Sequence, residues 1–106
     1  MRISGLQLSK KKDKRYIIYI TDGKEVKSYN FGQKGGSTFI DHGDEAKRQA
    51  YLARHLANKN EKELVDNLIP SAALFSAMLL WGANKSLSEN VADLQKMFDV
   101  KYGKNK

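Results

Sequence analysis

Residues 16–31, with the sequence YIIYITDGKEVKSYNF, decide how the chain begins to fold. The first five of these residues are β-branched or aromatic, which favours a strand. Asp22-Gly23 follows, and this pair favours a two-residue type I′ turn because both central positions of that turn need positive φ. The stretch therefore predicts an antiparallel β-hairpin in which Tyr19 lies opposite Val26.

The residues before the hairpin extend the sheet. Leu6 and Leu8 alternate with polar residues, as in a strand that buries one face. The lysine-rich run KKKDKR at residues 10–15 then separates this strand from the hairpin and is predicted to be a loop. The first third of the chain is therefore expected to form a small antiparallel sheet.

Glycines interrupt the strand pattern directly after Phe31. Gly32, Gly35 and Gly36 allow either a tight turn with a bulge or the close approach of a ligand. A P-loop would end in Gly-Lys-Ser/Thr before a helix, and a dinucleotide site would carry GxGxxG; the spacing fits neither. We interpret these residues as a structural loop at the exit from the hairpin, with a contact loop as the alternative.

The rest of the chain is predicted to be helical, so the fold class is α+β. Three to four helices are expected, and their start signals are Asp44, Asn60, Ser71 and the capping box Ser86-Leu87-Ser88-Glu89. Pro70 would stop the second helix, and Gly82 would take the left-handed position after the third. Residues 1–100 are expected to form one compact domain, and residues 101–106 a basic tail.

The first helix, over residues 45–57, is predicted to carry two faces. Its buried side would consist of Leu52, Leu56, Ala46, Ala50, Ala53 and Ala57. Its other side is a polar and aromatic stripe, because the members recur at helical spacings: Lys47, Tyr51, Arg54, His55 and Asn58. The stripe could reach phosphates and stack a base or a partner side chain on Tyr51. An ordinary solvated helix face is the alternative interpretation.

The formal charge of +7 is concentrated at the two ends of the chain. Residues 1–36 carry a net charge of +6, residues 37–100 a net charge of −2, and residues 101–106 a net charge of +3. A basic surface attracts polyanions such as nucleic acid. A solvated basic face, or one that matches an acidic protein neighbour, explains the same distribution.

Catalytic and metal-binding motifs find little support in the sequence. The chain has no cysteine, and its two histidines, His42 and His55, form no HExxH-type pair. We therefore expect a protein that is not an enzyme and has no cofactor or metal. The longest apolar run lies within residues 72–81 and falls short of the roughly 20 residues that span a bilayer. A soluble protein is expected.

Several spaced motifs suggest a relationship to known proteins. They are FG at residues 31–32 with Gly35, FIDH at 39–42, KR at 47–48, YLARH at 51–55, LLW at 79–81, SL at 86–87 and DLQKMF at 93–98. In this order they resemble small uncharacterised proteins encoded by giant double-stranded DNA viruses. A weaker likeness is to WGR modules, which bind DNA ends, although FGQ stands where those modules have Trp-Gly-Arg.

The viral resemblance implies a non-enzymatic structural protein of the virion, a minor capsid or internal component found in the host cytoplasm or nucleus during assembly. Its partners would be other virion proteins, met through basic surfaces. The alternative is a nucleic-acid-binding module. The candidate contact residues for either partner are Lys10, Lys11, Lys12, Lys14, Arg15, Lys34, Lys47, Arg48, Tyr51, Arg54 and His55, with residues 101–106 as further positive charge.

Overall fold

The N-terminal third forms a three-stranded antiparallel sheet in the computed structural model of the protein, which describes residues 1–103. The strands are β1 at Arg2–Leu8, β2 at Lys14–Asp22 and β3 at Glu25–Gln33, in the order β1-β2-β3. Ile18 and Ile20 of the central strand are buried. One face of the sheet is therefore part of the core.

The predicted hairpin is present, but its register is not the predicted one. Val26 pairs with Thr21 rather than with Tyr19, and the two-residue loop is Gly23-Lys24. Gly23 has a φ of +64°, and Lys24 has no positive φ. Glycine at the first loop position is the pattern of a type II′ turn. The shift changes every partner by two positions, so each side chain keeps the face that the prediction gave it.

Helices follow the sheet, which confirms the α+β class with an N-terminal sheet. They are α1 at Phe39–His42, α2 at Glu45–Leu56, α3 at Lys59–Asp66, α4 at Ala72–Phe75 and α5 at Leu87–Tyr102. Residues Ser76–Leu80 continue α4 as a π-helical turn, in which the Trp81 N–H donates to the Ser76 carbonyl at 3.1 Å. The short helix α1 was not predicted.

The predicted caps are correct for three helices and wrong for α3. Asp44, Ser71 and Ser86 each accept a hydrogen bond from a backbone N–H in the first turn of α2, α4 and α5. Helix α3 is capped by Asn58 instead of Asn60, because the Asn58 side chain accepts from two backbone N–H groups at 3.0 and 3.2 Å. The helix ends at Asp66, before Pro70.

Gly82 has a different role from the predicted one. It has no positive φ, so it is not a left-handed helix terminator. A Cβ atom at Gly82 would lie 2.1 Å from the Met78 carbonyl oxygen and 2.8 Å from Cγ of Asn90. The glycine is needed because the π-helical turn and α5 approach each other closely here.

The structure describes the predicted basic tail as far as Gly103. Helix α5 extends to Tyr102, two residues beyond the predicted end of the domain. The Tyr102 hydroxyl donates to the Leu68 carbonyl at 2.8 Å, and the Lys101 ammonium donates to the Asn67 carbonyl. The last turn of α5 is therefore held against the segment that follows α3. Residues 104–106 lie outside the described part of the chain.

Candidate functional site

Lysines from two separate loops meet at one end of the sheet. The loop between β1 and β2 lies beside the loop between β3 and α1, because the Lys34 N–H donates to the Asp13 carbonyl at 3.2 Å. We call this set the lysine end, and it consists of Lys10, Lys11, Lys12, Lys14 and Lys34. Four of the side chains are exposed and Lys14 is half-exposed. Within residues 1–103, none of the five forms an ion pair.

The glycine-rich segment comprises the end of β3 and the turn that follows it, with one tightly packed position. Gly32 has a φ of +78°, and a Cβ atom there would lie 2.8 Å from Cδ1 of Leu80. Gly35 has a φ of +85°, but a Cβ atom there would have no neighbour within 4 Å. The Gly36 N–H donates to the Gln33 carbonyl at 3.1 Å, which closes the turn. Phe31, just before the turn, is fully buried.

An ion pair joins the sheet to α1. The Arg15 guanidinium donates to both carboxylate oxygens of Asp41, at 2.6 and 2.7 Å. Asp41 also accepts from the Thr38 N–H and hydroxyl, each at 2.8 Å. Hydrogen bonds to the Arg15 guanidinium hold the pKa of Asp41 well below its usual range, and hydrogen bonds from Thr38 act in the same direction. Arg15 is thus engaged inside the molecule.

Five ring side chains contact one another in series across the helical half. We call them the aromatic ladder: Phe39, His42, Trp81, Tyr51 and His55. Tyr51 lies parallel to Trp81, with ring centroids 4.3 Å apart and an interplanar angle of 5°. Its ring centroid lies 4.1 Å from that of His55, and these two rings are stacked as well. Two rings this close cannot lie on the same face of Tyr51, so His55 covers the face opposite Trp81. His42 meets Trp81 edge-on at 5.5 Å. The faces of Tyr51 are therefore occupied.

Helix α2 is rotated about its axis relative to the prediction. The alanines at positions 46, 50, 53 and 57 are exposed, whereas Tyr51 and His55 of the expected outer stripe are half-buried. Arg48 is half-buried as well, since its Nε donates to the Trp81 carbonyl at 3.0 Å and its guanidinium carbon lies 5.6 Å from the Phe39 ring centroid. Large side chains remove more apolar surface from water than alanines do, so they take the inner face.

Glu61 links the end of the aromatic ladder to α3. Its Oε2 lies 2.9 Å from His55 Nδ1. Burial raises the pKa of Tyr51 to about 12, and the nearby charge of Glu61 contributes to this rise while Arg54 opposes it. The Tyr51 hydroxyl is therefore protonated at neutral pH and can donate a hydrogen bond.

A cleft of about 480 Å³ lies between the glycine-rich turn and the helices. Gly36, Ser37 and Thr38 line one side of it, and Tyr51, Arg54, His55 and Glu61 line another. The remaining lining includes small residues of α4 and the π-helical turn, namely Ala72, Ala73, Ser76 and Ala77, and apolar side chains, namely Leu52, Leu56, Val65 and Leu80. Lys14 of the lysine end and Trp81 of the ladder also contribute. The cleft thus borders the lysine end.

The structure divides the sequence-predicted contact residues into three sets and leaves Lys47 apart from them. Lys10, Lys11, Lys12, Lys14 and Lys34 form the lysine end, and Tyr51, Arg54 and His55 line the cleft together with Lys14. Lys47 is exposed on α2 and is not among the cleft residues. Arg15 and Arg48 hold the fold together instead, through Asp41 and the Trp81 carbonyl.

Sequence reasoning missed Trp81, Glu61 and Ser76 as site residues. The sequence places Trp81 at the end of the apolar run of residues 72–81 and carries no motif that marks Glu61 or Ser76. The approach of these residues to α2 depends on how three helices pack, which no local pattern specifies. The one sequence signal for these residues is that Trp81 is the single tryptophan of the chain.

Neither a metal-binding cluster nor a membrane-spanning helix occurs among the described residues. Residues 1–103 contain no group of three or more His, Asp or Glu side chains placed to hold a metal ion. The helices in this part of the chain include none that is long and apolar enough to cross a membrane.

The fold and site define a small α+β domain with a basic sheet end and an adjoining cleft walled by aromatic and small residues. Residues 5–55 are similar to the model of a family of unknown function (DUF5754). The matched stretch includes the lysine end, the glycine-rich turn and α2 up to His55. Comparison with curated proteins and with solved structures gives no match.

Proposed function

We propose that this protein is a non-catalytic binding protein whose lysine end docks on nucleic acid. The observation that supports this most strongly is the convergence of four lysines from two loops with Lys14, the first residue of β2, on one end of the sheet. Sequence position alone places Lys34 far from Lys10; the hydrogen bond from Lys34 N–H to the Asp13 carbonyl brings their loops together. Clustered cations of this kind attract phosphates along a backbone.

The charge balance around the lysine end favours a polyanion over a single small anion. Asp13 is the only acidic residue in either loop. Lysine ammonium groups on flexible side chains act as point charges and need no fixed geometry. A ligand with regularly repeated negative charge can contact several of them at once, and each contact releases a condensed counterion.

A virion-associated structural role is the second proposal. It is supported by the resemblance of the motifs between residues 16 and 98 to proteins of giant double-stranded DNA viruses. In that setting the lysine end would meet the packaged genome or an acidic face of a neighbouring virion protein. Mass spectrometry of purified particles tests it: recovery of the chain at a fixed ratio to capsid protein supports the role, and its absence from particles contradicts it.

Charge-matched variants test nucleic-acid binding directly. One variant replaces Lys10, Lys11, Lys12 and Lys14 by Gln. Its control replaces four exposed lysines elsewhere by Gln, namely Lys24, Lys27, Lys59 and Lys96. Both variants lose the same charge, so a purely global effect would weaken both equally. We expect only the first variant to lose affinity for a labelled DNA strand at low salt, and equal losses would contradict a localised interface.

A further inference from the structure

We propose that the cleft beside the lysine end receives one unpaired nucleotide of the bound nucleic acid, so that the protein prefers single strands and strand ends to continuous duplex. This inference rests on the proposed function, because the lysine end would deliver the strand. It adds a ligand site that the distribution of charge alone does not indicate.

The lysine end and the cleft are continuous. Lys14 follows the three lysines of the β1–β2 loop and also lines the cleft. Gly36 and Ser37 line it from the loop that carries Lys34. A strand whose phosphates lie along the lysines therefore passes the mouth of the cleft, with a short step from the last phosphate contact to the interior.

The size and the lining of the cleft suit a planar ring. Its volume of about 480 Å³ is within the range of roughly 300–1,000 Å³ that small-molecule sites occupy. Ala72, Ala73 and Ala77 leave this space open because their side chains are short. Ser76–Leu80 are π-helical where they line it, and single π-helical turns inside helices are frequent at functional sites.

Polar groups around the cleft are available to a nucleotide. The hydroxyls of Ser37, Tyr51 and Ser76 have no hydrogen-bond partner among the side-chain bonds of residues 1–103, although each residue lines the cleft. Tyr51 is protonated at neutral pH, so its hydroxyl can donate to a base oxygen or nitrogen. Arg54 forms no ion pair within the same part of the chain and can contact a phosphate.

The aromatic ladder determines where a base can stack. Tyr51 was the expected stacking surface, but both of its faces are covered, by Trp81 and by His55. His55 ends the ladder and is half-exposed, so its second face is the stacking surface that is left. A base inside a duplex is already stacked and paired, and it would have to leave the helix to reach this surface.

The experiment compares three ligands by two readouts. A labelled oligothymidylate of about 12 nucleotides and a blunt linear duplex without a loop are titrated by fluorescence anisotropy at low salt. Adenosine monophosphate is titrated against the fluorescence of Trp81, the only tryptophan of the chain. Ala73→Leu fills the cleft, and Ala50→Leu is the matched control because Ala50 is exposed on α2 away from the cleft. Thermal melting verifies that both variants fold.

We expect the single strand to bind about tenfold more tightly than the blunt duplex, which is the size of one stacked base. The monophosphate should change the fluorescence of Trp81. Both effects should be lost in Ala73→Leu and kept in Ala50→Leu. Should Ala73→Leu fail to fold, Ser37→Ala with Ser76→Ala in its place should lower the preference for the single strand several-fold.

The possible failures separate the two proposals. Equal affinity for strand and duplex, unaffected by Ala73→Leu, would overturn the nucleotide site and leave the lysine end intact. If neither nucleic acid binds, the proposed function fails, and the monophosphate titration alone decides the cleft: a fluorescence change lost in Ala73→Leu supports a nucleotide site, and no change overturns it.

Discussion

The buried Asn90 holds the turn that carries Trp81, and replacing it by Ala gives the sharpest test of the packing. Asn90 is 2% exposed. Its Nδ2 donates to the Leu79 and Asn84 carbonyls, both at 2.9 Å, and its Oδ1 accepts from the Asn84 N–H at 3.0 Å. Ala would leave the buried Leu79 carbonyl and the half-buried Asn84 carbonyl and N–H without these partners.

The expected cost of Asn90→Ala follows from these three bonds. The Leu79 carbonyl left buried without a partner costs about 1–3 kcal/mol, and each lost bond to Asn84 about 0.5–1.5 kcal/mol, so the loss should be at least about 2 kcal/mol. A domain of this size has a free energy of unfolding of roughly 5–15 kcal/mol. At about 4–8 °C per kcal/mol, a loss of about 2 kcal/mol should lower the melting temperature by roughly 8–16 °C.

Urea unfolding followed by Trp81 fluorescence measures this loss of stability. Asn67→Ala is the matched control, because Asn67 is exposed and its side chain makes one bond, to the Glu63 carbonyl at 3.0 Å. Its expected cost is about 0.5 kcal/mol or less. A loss for Asn90→Ala of less than about 1 kcal/mol, or one equal to the control, would refute the role given to Asn90.

Three further predictions concern the glycine-rich turn and two titrating groups. Gly35→Ala should cost about 1–2 kcal/mol for its left-handed backbone, and Gly32→Ala should cost at least about 1 kcal/mol more because its Cβ also meets Leu80; equal values in urea unfolding would contradict the close approach. The lowered pKa of Asp41 stabilises the fold above the ordinary carboxyl pKa of about 4, and this contribution is lost as pH falls below it. In melting curves from neutral to acidic pH, Asp41→Asn should therefore be less stable than the unaltered protein at neutral pH and should lose less stability in acid. A parallel pH dependence of the two proteins would be evidence against the pair with Arg15. The pKa of Tyr51 is raised to about 12, so the fold loses stability as pH rises above the ordinary tyrosine pKa of about 10. Tyr51→Phe should reduce this alkaline loss of stability. An unchanged alkaline profile would argue against the burial of Tyr51.

Local signals in the sequence were enough to predict the strands and the longer helices, but not α1 or the π-helical turn. The strands follow from β-branched residues and an Asp-Gly pair, and the starts of α2, α4 and α5 follow from Asp44, Ser71 and Ser86, whose side chains bond backbone groups only a few residues away. The register of the hairpin was wrong because Asp22-Gly23 and Gly23-Lys24 both offer a glycine to a tight turn. Which of these two pairs forms the turn depends on the contacts along the whole length of both strands.

The site was less predictable because it depends on contacts between distant residues. The lysines of residues 10–14 were evident, but the position of Lys34 beside them results from pairing of β3 with β2. The predicted inner face of α2 was correct for Leu52 and Leu56, which are half-buried, but wrong for the alanines, which are exposed. The alanine stripe and the stripe with Tyr51 have the same helical period. The stripe with Tyr51 lies on the inner face because Tyr51 stacks on the Trp81 ring and Arg48 donates a hydrogen bond to the Trp81 carbonyl.

The salt dependence of binding to single-stranded DNA tests the central claim, that the lysine end docks on nucleic acid. If all five lysines contact phosphates, the slope of log K against log salt should be about −3.5 for the unaltered protein. With Lys10, Lys11, Lys12 and Lys14 replaced by Gln it should approach about −0.7, the contribution of Lys34 alone. The same slope for both proteins, or no binding at low salt, would contradict the claim.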